Sequence, residues 1–134
     1  MKYSSRMFRS IAILSAAASS FALQPAFAGE VTSNPVTVGS GYAYGSLHSA
    51  RTSSDSKQFI GCSVFGIVGT PTTSYVACSA TNAAGAVFNC ATSNPSTALF
   101  QSALAVNAAT YVFMESNSSG NCVYIYVQNA SSNL

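Results

Sequence analysis

The chain has no tryptophan, a single histidine and charge on only 6% of its residues, where an ordinary domain has about a quarter. It has no G-x-S-x-G nucleophile motif and no glycine-rich phosphate loop that opens a helix. Glycoside hydrolysis normally needs two placed carboxylates, and the whole chain has three acidic residues. We therefore expect no metal, no cofactor and no enzymatic activity.

The first 28 residues have the pattern of a cleaved signal peptide. Three basic residues lie within the first nine positions, residues 11–23 are apolar, and Ala-Phe-Ala at 26–28 matches the site read by signal peptidase. The apolar run is too short, and too rich in serine and alanine, for a membrane span. We predict that 1–28 is removed on Sec export and that 29–134 forms one secreted or periplasmic domain without a transmembrane segment.

Removal of that peptide changes the charge of the protein. Residues 29–134 contain two cations, Arg51 and Lys57, and three acids, Glu30, Asp55 and Glu115, for a formal charge of −1. Two cations are too few to neutralise a nucleic-acid backbone or to bind an anionic membrane surface. A net charge near zero also gives little electrostatic protection against self-association.

Four cysteines, Cys62, Cys78, Cys90 and Cys122, follow the predicted cleavage site. An even number in a small exported chain is typical of two disulfides. Zinc sites usually have closely paired ligands such as C-x₂-C, and the gaps of 15, 11 and 31 residues do not fit that pattern. We expect two disulfides, each stabilising a small core by ~3–4 kcal/mol.

Short β-rich segments separated by turn residues run through the mature chain. They predict an all-β fold, a small disulfide-stabilised sandwich or flattened barrel of about six or seven strands. One short helix is expected near 96–106, where Ser96 or Thr97 can cap it. The predicted strands lie near residues 36–38, 42–44, 59–68, 74–81, 86–92, 109–115 and 121–128.

The turn that ends at Gly85 bears on the disulfide pairing. If Gly85 takes the left-handed position of a three-residue loop, Cys78 comes to lie opposite Cys90, at a separation that a disulfide accepts. Cys62–Cys122 would then be the second bridge. The consecutive pairing, Cys62–Cys78 with Cys90–Cys122, stays open because the first long hairpin also brings its two cysteines close.

The segment 46–62, SLHSARTSSDSKQFIGC, contains the histidine and both cations of the mature chain. A Ser-His-Asp triad needs consideration, but His48 and Asp55 are seven residues apart in a predicted flexible loop, which is a poor way to hold an imidazole within catalytic tolerance. We expect a solvated connection, with Arg51 and Lys57 as candidates for contact with a partner. A small secreted hydrolase using His48 and Asp55 is the least favoured alternative.

Two pairs of tyrosines are further candidates for contact. Tyr42 and Tyr44 share one side of a glycine-rich strand, and Tyr124 and Tyr126 share one side of the last strand. Side-by-side tyrosines either fill a core or contact a sugar or a protein partner. Tyr42 and Tyr44 are therefore named as possible partner-binding residues.

The last predicted strand, 121–129, is apolar on both faces. Its non-tyrosine side carries Val123, Ile125 and Val127. Such a strand either lies inside a sandwich or is covered by another chain. We name these three residues as a possible assembly strand, as in a surface fibre built by strand addition.

The arrangement of cysteines and neighbouring residues resembles a group of small secreted proteins of Gram-negative bacteria. The resembling blocks are R-x-S-x-D-x-x-Q-x-I-G-C at 51–62, C-x-A at 78–80 with Gly85 and Cys90, and G-x-C-x-x-I-x-V-x-N-x-S at 120–131. This resemblance implies export and a disulfide-linked β fold, and brings no catalytic residues. The low charge and β-rich end also resemble chaperone-assembled pilins, from which the four cysteines and the polar tail depart.

Together these features predict an exported, non-enzymatic β domain that acts as a binding or structural module. Its partner would be a protein or a glycan. The alternative is a self-assembling surface fibre or adhesin subunit, whose partner is a second copy of the chain.

Overall fold

The computed structural model describes residues 32–133, so the predicted signal peptide and Glu30 lie outside the described residues. The described range forms seven strands, two α-helices and a terminal 3₁₀ turn. In chain order the elements are β1 (Thr37–Val38), β2 (Tyr42–Ser46), α1 (Leu47–Thr52), β3 (Phe59–Ile67), β4 (Thr73–Thr81), β5 (Val87–Ser93), α2 (Thr97–Leu104), β6 (Thr110–Ser116), β7 (Cys122–Asn129) and the 3₁₀ turn (Ser131–Asn133).

The strands form two antiparallel sheets, one in the order β1–β2–β6–β7 and one in the order β3–β4–β5. Their inner faces share one core, in which Val112 and Met114 of the first sheet and Val76 and Ala80 of the second are each 0% exposed. The sheets do not close into a barrel within residues 32–133. The all-β prediction is confirmed, and the observed form is the sandwich.

Helix α2 lies inside the range predicted to be helical. The Ser96 hydroxyl accepts a hydrogen bond from the Leu99 N–H, which satisfies one of the free N–H groups of the first turn. Ala103 is buried on the inner side of this helix. Neither helix of the described range is long and apolar enough to cross a membrane.

Helix α1 corrects the prediction that 46–62 is only a solvated connection. The Ser46 hydroxyl caps α1 by accepting a hydrogen bond from the Ser49 N–H at 2.9 Å, and Ala50 is buried in the core. This helix was not predicted because its six residues are too few to show an apolar periodicity in the sequence. The rest of the segment is a turn that leads into β3.

The β4–β5 hairpin has the predicted turn. The Asn82 N–H donates to the Ala86 carbonyl at 3.1 Å, and Gly85 has a φ of 87°, a conformation that residues with a Cβ rarely adopt. The resulting register places Cys78 directly opposite Cys90.

The disulfides nevertheless follow the consecutive pairing, Cys62–Cys78 and Cys90–Cys122. The pairing derived from the hairpin, Cys78–Cys90 with Cys62–Cys122, is wrong. Cys78 lies on the middle strand of its sheet and faces a cysteine on each side, because Cys62 is also directly opposite it in β3. Hairpin register alone therefore does not choose its partner.

The position of β7 explains why Cys122 pairs with Cys90. Cys122 lies beside β5, where its carbonyl accepts a hydrogen bond from the Thr92 hydroxyl at 2.9 Å, and the Ala91 N–H donates to the Gly120 carbonyl at 3.1 Å. Cys62 lies on the opposite edge of the three-stranded sheet, two strand spacings or ~9–10 Å away from β5. The Cys90–Cys122 bridge thus joins the two sheets.

Candidate binding face

The outer face of the four-stranded sheet carries a cluster of six aromatic side chains, called here the aromatic face. It arises because β2, β6 and β7 are neighbours in that sheet and each contributes two rings in alternate positions. The members of the aromatic face are Tyr42, Tyr44, Tyr111, Phe113, Tyr124 and Tyr126.

The alternation of side chains along each strand places these rings on one side. Residues between the aromatic positions, such as Ala43, Val112, Met114 and Ile125, are buried in the core. Because successive side chains of a strand point to opposite faces, the rings point outward. Cross-strand register then aligns them, with Phe113 in the centre between its neighbours on β2 and β7.

Three of the rings share nearly the same orientation. The rings of Tyr42 and Tyr44 have centroids 6.3 Å apart and planes that differ by 4°. The Phe113 ring lies 6.0 Å from Tyr42 and 6.3 Å from Tyr44, at interplanar angles of 13° and 14°. Aromatic neighbours in offset, near-parallel arrangements attract each other, so this group of three rings is held in a common orientation.

The remaining tyrosines surround this group. The Tyr111 ring is 6.3 Å from Tyr44 with a tilt of 40°, and the Tyr124 ring meets Phe113 edge-on at 6.0 Å and 67°. Tyr126 lies directly across from Phe113 in the β6–β7 register. The face therefore presents both ring surfaces and phenol hydroxyls.

Gly39 leaves the space that the Tyr42 ring occupies. A Cβ atom placed on Gly39 would lie 2.2 Å from Cζ of Tyr42 and within 2.7 Å of two other ring carbons, far inside van der Waals contact. The Gly39 N–H also donates to the Tyr42 carbonyl at 2.9 Å. Only a residue without a side chain lets the Tyr42 ring lie against the backbone at this point.

The aromatic face is open to solvent and nearly uncharged. Tyr42, Tyr124 and Tyr126 are 39%, 50% and 45% exposed. Partial burial raises the pKa of Tyr111 above its usual value, and the nearby side chains of Tyr44 and Tyr126 raise it to a smaller extent. Glu115, opposite Tyr42 and Tyr124 at one end of the face, is the one charged side chain on the described parts of these three strands.

The structure brings some of the predicted contact residues together and separates others. Tyr42 and Tyr44 lie side by side on the aromatic face. Arg51, in the last turn of α1, and Lys57, in the turn before β3, are both exposed but lie on other elements. Sequence reasoning missed the two aromatic residues of β6, although their alternation in TYVFMES gives the same signal as that of the tyrosines in β2.

Asp55 has a structural role within the turn before β3. One carboxylate oxygen accepts hydrogen bonds from the N–H groups of Lys57 and Gln58, at 2.8 and 3.0 Å, and the other accepts from the Gln58 side-chain amide at 2.6 Å. Gln58 in turn accepts from the Val36 N–H at 2.7 Å. The Gln58 amide and then the Lys57 N–H lower the pKa of Asp55.

Strand β7, which contains the predicted assembly residues, is an edge strand. It lies at the end of the four-stranded sheet, so it is not the interior strand that its apolar sequence also fitted. Ile125 is buried, Val127 is half-buried and Val123 is 51% exposed. Only Val123 among the three is therefore available to a second chain without a change of fold.

Two other surfaces of the described chain differ from the aromatic face. The end of the β3–β4 hairpin exposes Phe65, stacked on Tyr75 with centroids 5.0 Å apart, and Val68, which is 95% exposed. The outer side of the three-stranded sheet has an open depression of about 440 Å³ lined by small side chains such as Ser79 and Asn89. Neither surface combines several aligned rings with hydroxyl groups.

Comparisons with protein-family models, with curated proteins and with solved structures found no match to this chain.

Proposed function

We propose that the protein is an exported, non-enzymatic binding module that contacts its partner through the aromatic face. The observation that carries the proposal is the triangle of near-parallel rings formed by Tyr42, Tyr44 and Phe113 on an exposed sheet surface. Exposed aromatic clusters of this kind are costly to leave in water, and they mark interaction sites.

Export is supported by the cysteines and by the pattern of residues 1–28. Both pairs of cysteines are joined, and disulfides persist mainly in exported proteins. A secreted or periplasmic location also fits a surface built from Ser, Thr, Asn and Gln with few charges.

A non-enzymatic role is supported by how the polar residues are used. The carboxylate of Asp55 is occupied by three hydrogen bonds that shape its own turn, which makes it a poor partner for the His48 imidazole. Glu115 stands on an exposed sheet face and lies on a different element from Asp55, so the described structure does not place the two carboxylates on one element.

The test compares two double variants of the exported, oxidised protein, expressed from the full chain. Tyr44→Ser with Phe113→Ser removes the centre of the aromatic face, and Phe65→Ser with Tyr75→Ser removes a stacked pair from the other sheet as a matched control. Binding is measured by calorimetry against soluble polysaccharides, phosphatidylcholine vesicles and unfolded casein. The proposal requires that at least one of these probes binds and that only the first double variant loses binding.

Thermal unfolding of both double variants controls for loss of fold. Equal binding by both folded variants to every probe, or binding of no probe by the unmodified protein, would overturn the proposal.

Self-assembly is the second candidate function, and the edge position of β7 favours it. Edge strands are templates for pairing with another chain, and this one exposes Val123 and two tyrosines. Light scattering across a dilution series distinguishes the two functions, because a binding module stays monomeric and an assembling subunit forms a ladder of larger species.

A further inference from the structure

We propose that the ligand of the aromatic face is a neutral polysaccharide whose pyranose rings pack against the tyrosine and phenylalanine rings. This inference rests on the proposed function and names the class of partner.

The chemistry of the rings suits a sugar chain. The face of an aromatic ring carries partial negative charge, and the C–H groups on one side of a pyranose ring form a weakly positive apolar surface that packs on it. Tyr42, Tyr44 and Phe113 have ring planes within 14° of one another, so consecutive sugar units meet rings in similar orientations. The phenol hydroxyls of the surrounding tyrosines then reach the sugar hydroxyls, both donating and accepting.

The charge of the face selects against polyanions. Glu115 is the one charged side chain on the described parts of β2, β6 and β7, and Arg51 and Lys57 lie on other elements. An acidic polysaccharide or a nucleic acid would approach a carboxylate with no cation beside it. A neutral chain has no such cost.

The composition of the face also disfavours a lipid surface or a protein as its main partner. Membrane-bound faces combine apolar side chains with lysine and arginine, and protein interfaces are enriched in arginine and methionine as well as aromatic residues. The outward positions of β2 and β6 instead carry tyrosine, phenylalanine and Glu115, and those of β7 end in Gln128. The aromatic rings can pack on a sugar ring, and the phenol and amide groups can form hydrogen bonds with its hydroxyl groups.

The openness of the face indicates a chain and not a small sugar. Small-molecule sites are concave and bury 70–90% of their ligand, while this site is one side of a sheet with Tyr42, Tyr124 and Tyr126 about 40–50% exposed. A single sugar unit would contact one or two rings. A polymer that crosses the strands contacts several at once and gains affinity from each.

Gly39 is a positioning residue for this ligand. By leaving room for the Tyr42 ring, it allows that ring to lie parallel to Tyr44 and Phe113. A methyl group at this position must push the Tyr42 ring away, since the shortest contact would be 2.2 Å. Because φ of Gly39 is outside the left-handed range, Gly39→Ala tests ring position without adding backbone strain.

Tyrosine fluorescence measures binding at this site directly. The chain has no tryptophan, and Tyr75 is the one tyrosine in the described range outside the aromatic face. We titrate the exported, oxidised protein with hydroxyethyl cellulose, dextran and soluble starch as neutral polymers, and with polygalacturonate as the anionic polymer. The expected result is saturable binding of at least one neutral polymer and much weaker binding of polygalacturonate.

The variants give the expected fold-changes. Tyr44→Ser weakens binding about tenfold, or about 1.4 kcal/mol, because it removes one of the three near-parallel rings. Gly39→Ala weakens it roughly threefold with an unchanged melting temperature, and Phe65→Ser leaves it unchanged. Binding by Tyr44→Ser is also measured by calorimetry. This second measurement is needed because the substitution removes a fluorescent side chain, and the fluorescence change alone could be mistaken for a loss of binding.

The outcomes separate this inference from the proposed function. Face-dependent binding of vesicles or casein without binding of any neutral polymer would overturn the polysaccharide inference and leave the binding module intact. Equal binding of polygalacturonate would overturn the selection for neutral chains. No face-dependent binding of any probe would overturn both proposals.

Discussion

Cys78 lies directly opposite Cys90 in the β4–β5 pairing, yet its sulfur is bonded to Cys62 on the other side. The sulfurs of Cys78, Cys90 and Cys122 all lie within 4.8 Å of one another. Without its bond to Cys62, the Cys78 sulfur could therefore bond to Cys90 or to Cys122 with little movement of the strands. Which pairing forms depends on which cysteine is free.

Replacement of Cys62 should allow the remaining disulfide to exchange partners. In Cys62→Ser, the Cys78 thiolate attacks the Cys90 sulfur, a Cys78–Cys90 bond forms, and Cys122 leaves as a thiolate that takes up a proton. The reaction needs no oxidant, and it accelerates as the pH approaches the thiol pKa of about 8.5. Non-reducing peptide mapping should therefore find Cys78–Cys90 alongside Cys90–Cys122.

The matched control for this exchange is Cys78→Ser. It leaves the free thiol on Cys62, which lies across the sheet from Cys90, with β4 between them, and it should retain only Cys90–Cys122. If Cys62→Ser also keeps only Cys90–Cys122 after long incubation at alkaline pH, the two pairings are not interchangeable in this fold.

Much of the fold follows from local sequence, and the disulfide pairing shows where local reasoning stops. The alternation of residues predicts the strands, and Gly85 predicts the register that sets Cys78 against Cys90. The position of β7 beside β5 depends on how the two sheets pack together, and rules for hairpins do not predict that packing. The bond between Cys90 and Cys122 could therefore not be selected from the sequence.

The candidate site divides in the same way. Tyr42 and Tyr44 are recognisable as a pair because they are two residues apart in one strand. Their contact with Phe113 comes from pairing between β2 and β6, which lie about half the length of the chain apart in sequence. Gly39 looks like an ordinary turn residue until the Tyr42 ring is seen to lie against it.

Acid should weaken the turn before β3 through Asp55. Hydrogen bonds from Gln58 and Lys57 lower its pKa below the usual 3.8, so the folded protein binds this proton less readily than the unfolded chain. The stabilisation is complete above that value and is lost as the pH falls through the folded-state pKa. We expect Asp55→Asn to flatten the fall in unfolding free energy between about pH 5 and pH 2.

Urea denaturation at several pH values measures this change. Glu115→Gln is the control, because it removes a carboxylate from an exposed strand position on another element. A fall with pH in Asp55→Asn that is as steep as in the unmodified protein would show that the acid sensitivity arises elsewhere.

Alkali should destabilise the protein through Tyr111. Burial raises its pKa above the ordinary value of 10.0, so the unfolded chain releases this proton before the folded protein does. Stability is then complete below pH 10.0 and falls as the pH rises toward the folded-state pKa. Tyr111→Phe should lose less unfolding free energy than the unmodified protein between about pH 9 and pH 11. The control variant Tyr75→Phe should lose as much as the unmodified protein.

Assembly through β7 is tested by substituting Val123, and not Ile125. Ile125 is 6% exposed, so Ile125→Lys places a charge in the core and unfolds the protein whether or not the strand pairs with another chain. Val123 is 51% exposed, and Val123→Lys adds an edge charge of the kind that blocks strand pairing. The variant should keep its melting temperature within a few degrees.

If β7 joins subunits, Val123→Lys converts a concentration-dependent ladder of species into a monomer, as measured by light scattering. Val87→Lys is the matched control, since Val87 is 58% exposed on an edge strand of the other sheet. A ladder that both variants leave unchanged would contradict assembly through β7, and a ladder that both variants abolish would indicate a loss of association through added charge alone. A monomer at every concentration in the unmodified protein would instead favour the binding module, in which β7 contributes Tyr124 and Tyr126 to the aromatic face.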